Sequence, residues 1–201
     1  MEIIICILIG YLLGNIQAAY IIGRLFYNID IREQGSKNAG SANAVVVWGW
    51  HIGLITFIVD VSKAAAAIWL VQWLYPGESI LPILAGLFAV IGHIYPVIMK
   101  LKGGKGVASV IGIMVGVDPM IAIVLAITIV IISFVTNQLF WGEFFGLGSF
   151  PVAVYLLGYP IEVIILVSIS SILSIYRLKG NFFRTISGEE ATVMSEIKKS
   201  K

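Results

Sequence analysis

Apolar residues run almost unbroken along this chain, and the polar ones gather into a few short clusters. A helix needs about 20 mostly apolar residues to cross a hydrocarbon core about 30 Å thick. Four runs suit that length: Ile3–Leu25, Gly53–Tyr75, Ser79–Met99 and Pro119–Thr136. Two more, Phe144–Tyr159 and Ile161–Tyr176, are a little short. Between Lys105 and Asp118 lies "GVASVIGIMVGVD", too brief to cross an average bilayer unaided, which predicts a short helix. The pattern therefore predicts an all-α integral membrane protein with seven transmembrane helices, one of them short. The first run has no basic segment before it and is too long for a cleaved signal, so it reads as the first span.

Composition agrees with the pattern. The 201 residues are 59% hydrophobic and 12% charged, whereas a soluble domain is about a quarter charged. The single cysteine, Cys6, excludes an internal disulfide framework and offers no metal-site spacing. No linker or internal repeat divides the chain, so one membrane domain over 1–201 is expected, with a flexible tail over about 191–201. Of the 13 Lys and Arg residues, all but Lys63 fall in Arg24–Lys37, in Lys100–Lys105 or from Arg177 onward. With seven spans these three segments share one face, which the positive-inside rule makes cytoplasmic. The N-terminus is then outside and the C-terminus inside. Trp48, Trp50 and Trp141 fall near the inner boundary and Trp73 and Tyr75 near the outer, where aromatic anchors belong.

The same face carries three polar segments. "GSKNAGSANA", Gly35–Ala44, crowds Ser36, Asn38, Ser41 and Asn43 ahead of an apolar stretch, with Gly35 and Gly40 between them. One helix cap needs one such residue; this many, beside glycines that let backbone approach a ligand, point to a polar binding site. "HIYPVIMKLKGGKGVASV", His93–Val110, joins a histidine to a lysine and glycine cluster just before the short helix. Its spacing is not that of a nucleotide P-loop. Glycine amides, a helix N-terminus and a lysine nevertheless attract an anion. Lys100 and Lys102 suit a membrane anchor, whereas Lys105, framed by Gly103, Gly104 and Gly106, suits a ligand. "NFFRTISGEEATV", Asn181–Val193, follows the last run and either folds back over the site or forms a solvated amphipathic tail. Asp60 and Lys63, three apart in the second run, share a helix face and read as a structural pair supporting the first segment. Glu143 falls at the inner boundary. Together these describe a cytoplasmic-facing phosphate pocket at the membrane edge. A transporter would spread its polar groups over both halves of the bilayer, and these cluster in one.

At this point the residues resemble a known family, the acyl-phosphate-dependent glycerol-3-phosphate acyltransferases of bacteria. "GHIYPVIMKLKGGKGVA", Gly92–Ala108, is a near-complete match to the family's second motif. "GSKNAGSAN" is similar to the first, usually G-S-x-N-x-G-x-T-N; "DVSK", Asp60–Lys63, matches a further pattern; Asn181, Arg184, Gly188 and Glu190 match the spacing of the third. The resemblance implies an inner-membrane, multi-pass enzyme that moves a fatty acyl group from acyl phosphate to the 1-hydroxyl of glycerol 3-phosphate. The products would be lysophosphatidic acid and phosphate, in phospholipid biosynthesis. It implies no cofactor and no metal, and membrane lipid rather than nucleic acid as partner; oligomeric state stays open, a monomer included. Neither His51 nor His93 is followed by Asp five positions on, so the H-x-x-x-x-D acyltransferase motif is absent.

On this reading Ser36, Asn38, Gly40, Ser41 and the Gly103–Gly106 amides with Lys105 hold the donor phosphate and polarise the acyl carbonyl. Asn43, Lys102, Asn181 and Arg184 are candidates for the acceptor phosphate, and Glu190 is a further substrate-binding candidate. His93 is either the general base or a positioning group, with a substrate phosphate oxygen taking the proton. Three positions depart from the family pattern: Val46 stands for the usual Arg, Ala42 for Thr and Leu178 for His. Losing an arginine's bidentate fork from a phosphate pocket is not conservative. A catalytically impaired or repurposed relative, or one that acylates another acceptor, is therefore the alternative.

Overall fold

The structure, a computed structural model, describes residues 1–195, and helix is the only regular structure among them. In chain order the helices are α1 (Glu2–Gly14), α2 (Ala18–Ile22, continued by a π turn over Gly23–Tyr27), α3 (Ser41–Trp48), α4 (Trp50–Leu74) and α5 (Ile80–Ile94). They continue with α6 (Val107–Val117), α7 (Pro119–Thr136), α8 (Leu139–Leu156), α9 (Ile161–Arg177) and α10 (Lys179–Ile186). Four are long and apolar enough to cross a membrane: α4, α5 with its 3-10 extension to Met99, α7 and α8. Two bent pairs bring the number to six, α1 with α2 at 44° and α9 with α10 at 48°.

The first apolar run is thus not one straight helix. It breaks at Asn15–Gln17, and the break has polar causes. Asn15 Oδ1 accepts from the Val97 amide at 2.8 Å, and its Nδ2 donates back to Tyr11 O at 2.7 Å. Gln17, fully buried, donates to His93 O at 3.0 Å and to Gly14 O at 3.2 Å. The interruption leaves the Ile16 carbonyl free of the helix, where Lys63 Nζ donates to it at 2.6 Å. α8 begins at Leu139, five residues before the expected Phe144, because Glu143 turns inward and is buried, so it does not end the span.

The short helix α6 sits in the middle of the bundle. Ala108 to Met114 are all buried, and α4, α5, α7, α8 and α9 surround them. A helix packed on most sides by other helices need not match the bilayer thickness, because protein satisfies most of its surface. Ile68, Val90, Ile94, Ile113, Met114, Leu147 and Phe150 form the core around it. At the side, α1 lies against α5 through small residues. A Cβ on Gly10 or Gly14 would run into the backbone of Ala85 or Ala89. Such close approach is how apolar helices gain van der Waals energy where lipid offers no hydrophobic drive. α7 turns Ile123, Val124, Ile127, Val130, Ile131 and Phe134 outward, as a lipid-facing helix does.

On the basic face, one carboxylate ties two loops together. Asp30, 3% exposed, accepts from Arg32 Nε and Nη2 at 3.0 and 2.7 Å and from Arg24 Nη2 at 3.0 Å. Arg32 Nη1 in turn donates to Met99 O at 2.8 Å, so the loop after α2 is fastened to the loop after α5. The bonded Arg32 guanidinium holds the Asp30 carboxyl down from 3.8 to about 2. That depression is worth about 2 kcal/mol of folded-state stability. Because the folded value is the lower, the contribution is complete above pH about 4 and is lost as pH falls toward 2. Asp30→Asn should therefore destabilise the detergent-solubilised protein by about 2 kcal/mol at neutral pH and flatten its loss of stability below pH about 4. Thermal melts over a pH series measure both.

Candidate active site

Two helix starts and one lysine meet on the basic face. Gly40, Ser41 and Ala42 open α3, and Gly106, Val107 and Ala108 open α6; all six line one small cavity of about 40 Å³. The first N–H groups of a helix have no partner within it, so both starts turn donors and positive dipole ends toward that space. Gly106 adopts φ +89°, which favours glycine, and a Cβ there would also overlap Ser174 Oγ. Lys105, Asn38, His93, Asp60 and Glu143 complete the lining. Burial pushes the Lys105 ammonium below its ordinary pKa, and the Glu143 and Glu190 carboxylates oppose that shift. The lysine therefore sits in a partly dehydrated setting where its attraction for an anion is strengthened.

Behind the lining lies a buried polar network. Lys63 Nζ donates to Asp60 Oδ1 at 2.7 Å and lies 2.7 Å from His93 Nδ1. Asp60, Lys63 and His93 are 1%, 4% and 2% exposed. The Asp60–Lys63 pair, expected to support the first polar segment, braces His93 and the broken first span. The glycines of the second segment make this possible sterically. A Cβ on Gly104 would overlap the His93 ring, and one on Gly103 would overlap His93 O and Pro96. The Gly103 and Gly104 amides donate to Ile94 O and His93 O, both at 3.1 Å, closing the end of α5. Both amides, expected to face the donor phosphate, are thus engaged by main-chain carbonyls at the end of α5.

Next to the polar cavity is an apolar groove of about 430 Å³, walled by residues such as Val45, Trp50, Leu54, Phe57, Ile111 and Ile129. The two spaces share Ser41, Ala42, Val107, Ala108 and Glu143. A donor-lined pocket joined to an apolar groove suits a ligand with an anionic head and a hydrocarbon tail.

Of the residues singled out in the sequence, Asn38, Gly40, Ser41, His93, Lys105 and Gly106 come together at this cavity. Others stand apart. Ser36 is exposed on its loop, with its amide donating to Asn43 Oδ1 at 2.7 Å. Asn43 is buried and fully occupied: its Nδ2 donates to Ile31 O, Gln34 O and Asn38 O at 2.9–3.1 Å. It shapes the first segment, with its amide nitrogen engaged by three main-chain carbonyls. Lys102 is exposed outside the cavity. Glu190 accepts from Asn181 Nδ2 at 2.5 Å and from Arg184 Nε at 2.6 Å, so the third segment closes on itself. The Val193 and Met194 amides donate to Asn137 at the α7–α8 corner, at 3.2 and 3.0 Å; 196–201 of the expected tail lie outside the described residues. Sequence reading missed Gln17 and the inward role of Glu143. Gln17 had a signal, a polar side chain inside an apolar run, which in a membrane calls for a partner.

A model of the glycerol-3-phosphate acyltransferase family matches residues 4–188. Glycerol-3-phosphate acyltransferase 1 of Oceanobacillus iheyensis is 34% identical over 97% of both chains. The glycerol-3-phosphate acyltransferase of Streptococcus thermophilus is 37% identical over 96% of this chain and 94% of its own. The crystal structure of PlsY (YgiH), an integral membrane glycerol 3-phosphate acyltransferase, in its glycerol 3-phosphate form, superposes with a TM-score of 0.90 at 28% identity, covering 96% of each chain. Its lysophosphatidic acid form gives 0.88 at 25% identity, over 98% of this chain and 99% of that one. With its helices, polar cavity and motif residues in one arrangement, this chain belongs to the glycerol-3-phosphate acyltransferase family.

Proposed function

We propose that this protein transfers a fatty acyl group from acyl phosphate to the 1-hydroxyl of glycerol 3-phosphate, at the cytoplasmic face of the bacterial inner membrane. The observation that carries the reading is the continuity between the cavity at the α3 and α6 N-termini and the apolar groove. The donor's phosphate takes the two helix starts and Lys105, and its acyl chain takes the groove. Acyl phosphate is already activated, so the protein supplies proximity, charge neutralisation and an oriented carbonyl. The acceptor oxygen forms the new ester bond, the acyl–phosphate C–O bond breaks, and the hydroxyl proton ends on the released phosphate, directly or through His93.

Lys105, Asn38, Gly40, Ser41, Gly106 and His93 hold the donor end. Lys102 and Arg184 serve the acceptor, with Glu190 holding Asn181 and Arg184 together, and Ser36 joins the donor side from its loop. The basic clusters support a reading with these loops inside, seven spans, the N-terminus outside and the C-terminus inside. α6 is the seventh and shortest of them.

The departures from the family pattern bear on the acceptor. Val46, 48% exposed on α3, and Leu178, fully buried, carry no side-chain donor for an anion where the family pattern has Arg and His.

Purified protein should release phosphate from palmitoyl phosphate only when glycerol 3-phosphate is present. Lys105→Ala should lower that release about 100- to 1,000-fold, the usual loss when one donor to a developing anion is removed. Release indifferent to glycerol 3-phosphate would sink the assignment of the acceptor. Val46→Arg should lower the KM for glycerol 3-phosphate about tenfold, through one added charge-assisted bond of about 1.5 kcal/mol. An unchanged KM would mean that the acceptor phosphate binds away from α3.

A further inference from the structure

Lys63 has three neighbours and no more room. Its Nζ lies 2.6 Å from Ile16 O, 2.7 Å from Asp60 Oδ1 and 2.7 Å from His93 Nδ1. A backbone carbonyl and an ionised carboxylate only accept, so Lys63 donates to both. An ammonium has a third N–H, and the one remaining neighbour is His93 Nδ1. That nitrogen must then offer its lone pair, which leaves the ring proton on Nε2. A neutral amine would reverse the last bond, but it would also leave Asp60 as an uncompensated charge at membrane depth. An isolated buried carboxylate is far costlier than a bonded pair. Asp60 does not compete for the ring nitrogen, since Oδ1 stands 3.4 Å from Nδ1, long for a hydrogen bond.

The ring has little freedom to escape this arrangement. Gln17 Nε2 and the Gly104 amide both donate to His93 O, at 3.0 and 3.1 Å, fixing the backbone. The Nε2 edge faces Gly104, where even a methyl group would collide with it, and the residue lines the cavity with Lys105.

We propose that Lys63 is a positioning residue that holds His93 as the Nε2–H tautomer, so that His93 meets substrate as a hydrogen-bond donor to an oxygen and not as a base. The consequence for turnover rests on the acyl-transfer reading above; the tautomer itself does not.

The chain has only two histidines, so ¹⁵N-histidine labelling of the full protein gives two ring systems. His51→Gln removes one and assigns the other. The expected spectrum has a proton on His93 Nε2 and none on Nδ1. In Lys63→Met the tautomer should change to Nδ1–H, pointing toward Asp60, while Lys63→Arg should preserve Nε2–H. In turnover, His93→Gln places an amide N–H near the Nε2 position and should stay at least about tenfold above His93→Ala, because a donor can be replaced by an amide and a base cannot. A wild-type His93 protonated on Nδ1, or on both nitrogens, overturns the proposal. An unchanged tautomer in Lys63→Met overturns the role of Lys63. If that variant does not fold, the wild-type and Lys63→Arg spectra still decide. Equal inactivity of the Gln and Ala variants overturns the donor role. Failure of the acyl-transfer reading would show separately, as wild-type protein that releases no phosphate while keeping the same spectrum.

Discussion

The arrangement depends on how a buried ammonium is satisfied. Lys63 sits mid-helix in α4, 4% exposed, and each of its protons needs an acceptor. It takes one from its own helix, Asp60, one from the broken first span, Ile16 O, and one from the end of α5, His93. Three separate stretches of chain are thus fixed against one another by a single nitrogen. The break between α1 and α2 follows the same logic, since an unbroken helix would keep the Ile16 carbonyl in its own ladder. Gln17 then satisfies the carbonyls that the break and the end of α5 leave open.

Close approach does the rest. Glycines at positions 10, 14, 103 and 104 each stand where a methyl group would meet backbone or the His93 ring. The glycine-rich loop that looks built to expose amides has a different first duty: it lets the chain fold tightly under His93 and present Lys105 and the start of α6 at one place. The anion-binding donors come from two helix N-termini that lie more than sixty residues apart in sequence, α3 and α6. A pocket of this kind offers an anion main-chain dipoles and one ammonium.

The apolar groove gives that pocket its chemical meaning. Its walls come from α3, α4, α6, α7 and α8, and its mouth shares Ser41, Ala42, Val107, Ala108 and Glu143 with the polar cavity. Hydrophobicity therefore serves twice here, outward against lipid on α7 and inward along the groove. An amphiphile could enter from the membrane with its tail in the groove and its head among the donors.

Much of this was legible in the sequence. The apolar runs set the helices, the three basic clusters set a common face, and "GSKNAGSAN" and "GHIYPVIMKLKGGKGVA" marked the residues that gather at the cavity. Those features are local: periodicity, charge and glycine act on the chain nearby. What the tertiary structure decided was which polar groups are left over once folding is complete. Asn43, Asn181, Gly103 and Gly104 resemble ligand groups in the sequence, yet their hydrogen bonds are taken up by the fold. Glu143 resembles an interfacial residue, yet it is buried beside Lys105 in the cavity wall. The reason is physical: a side chain's sequence neighbourhood states what it can donate or accept, but only the assembled structure determines whether protein has already claimed it.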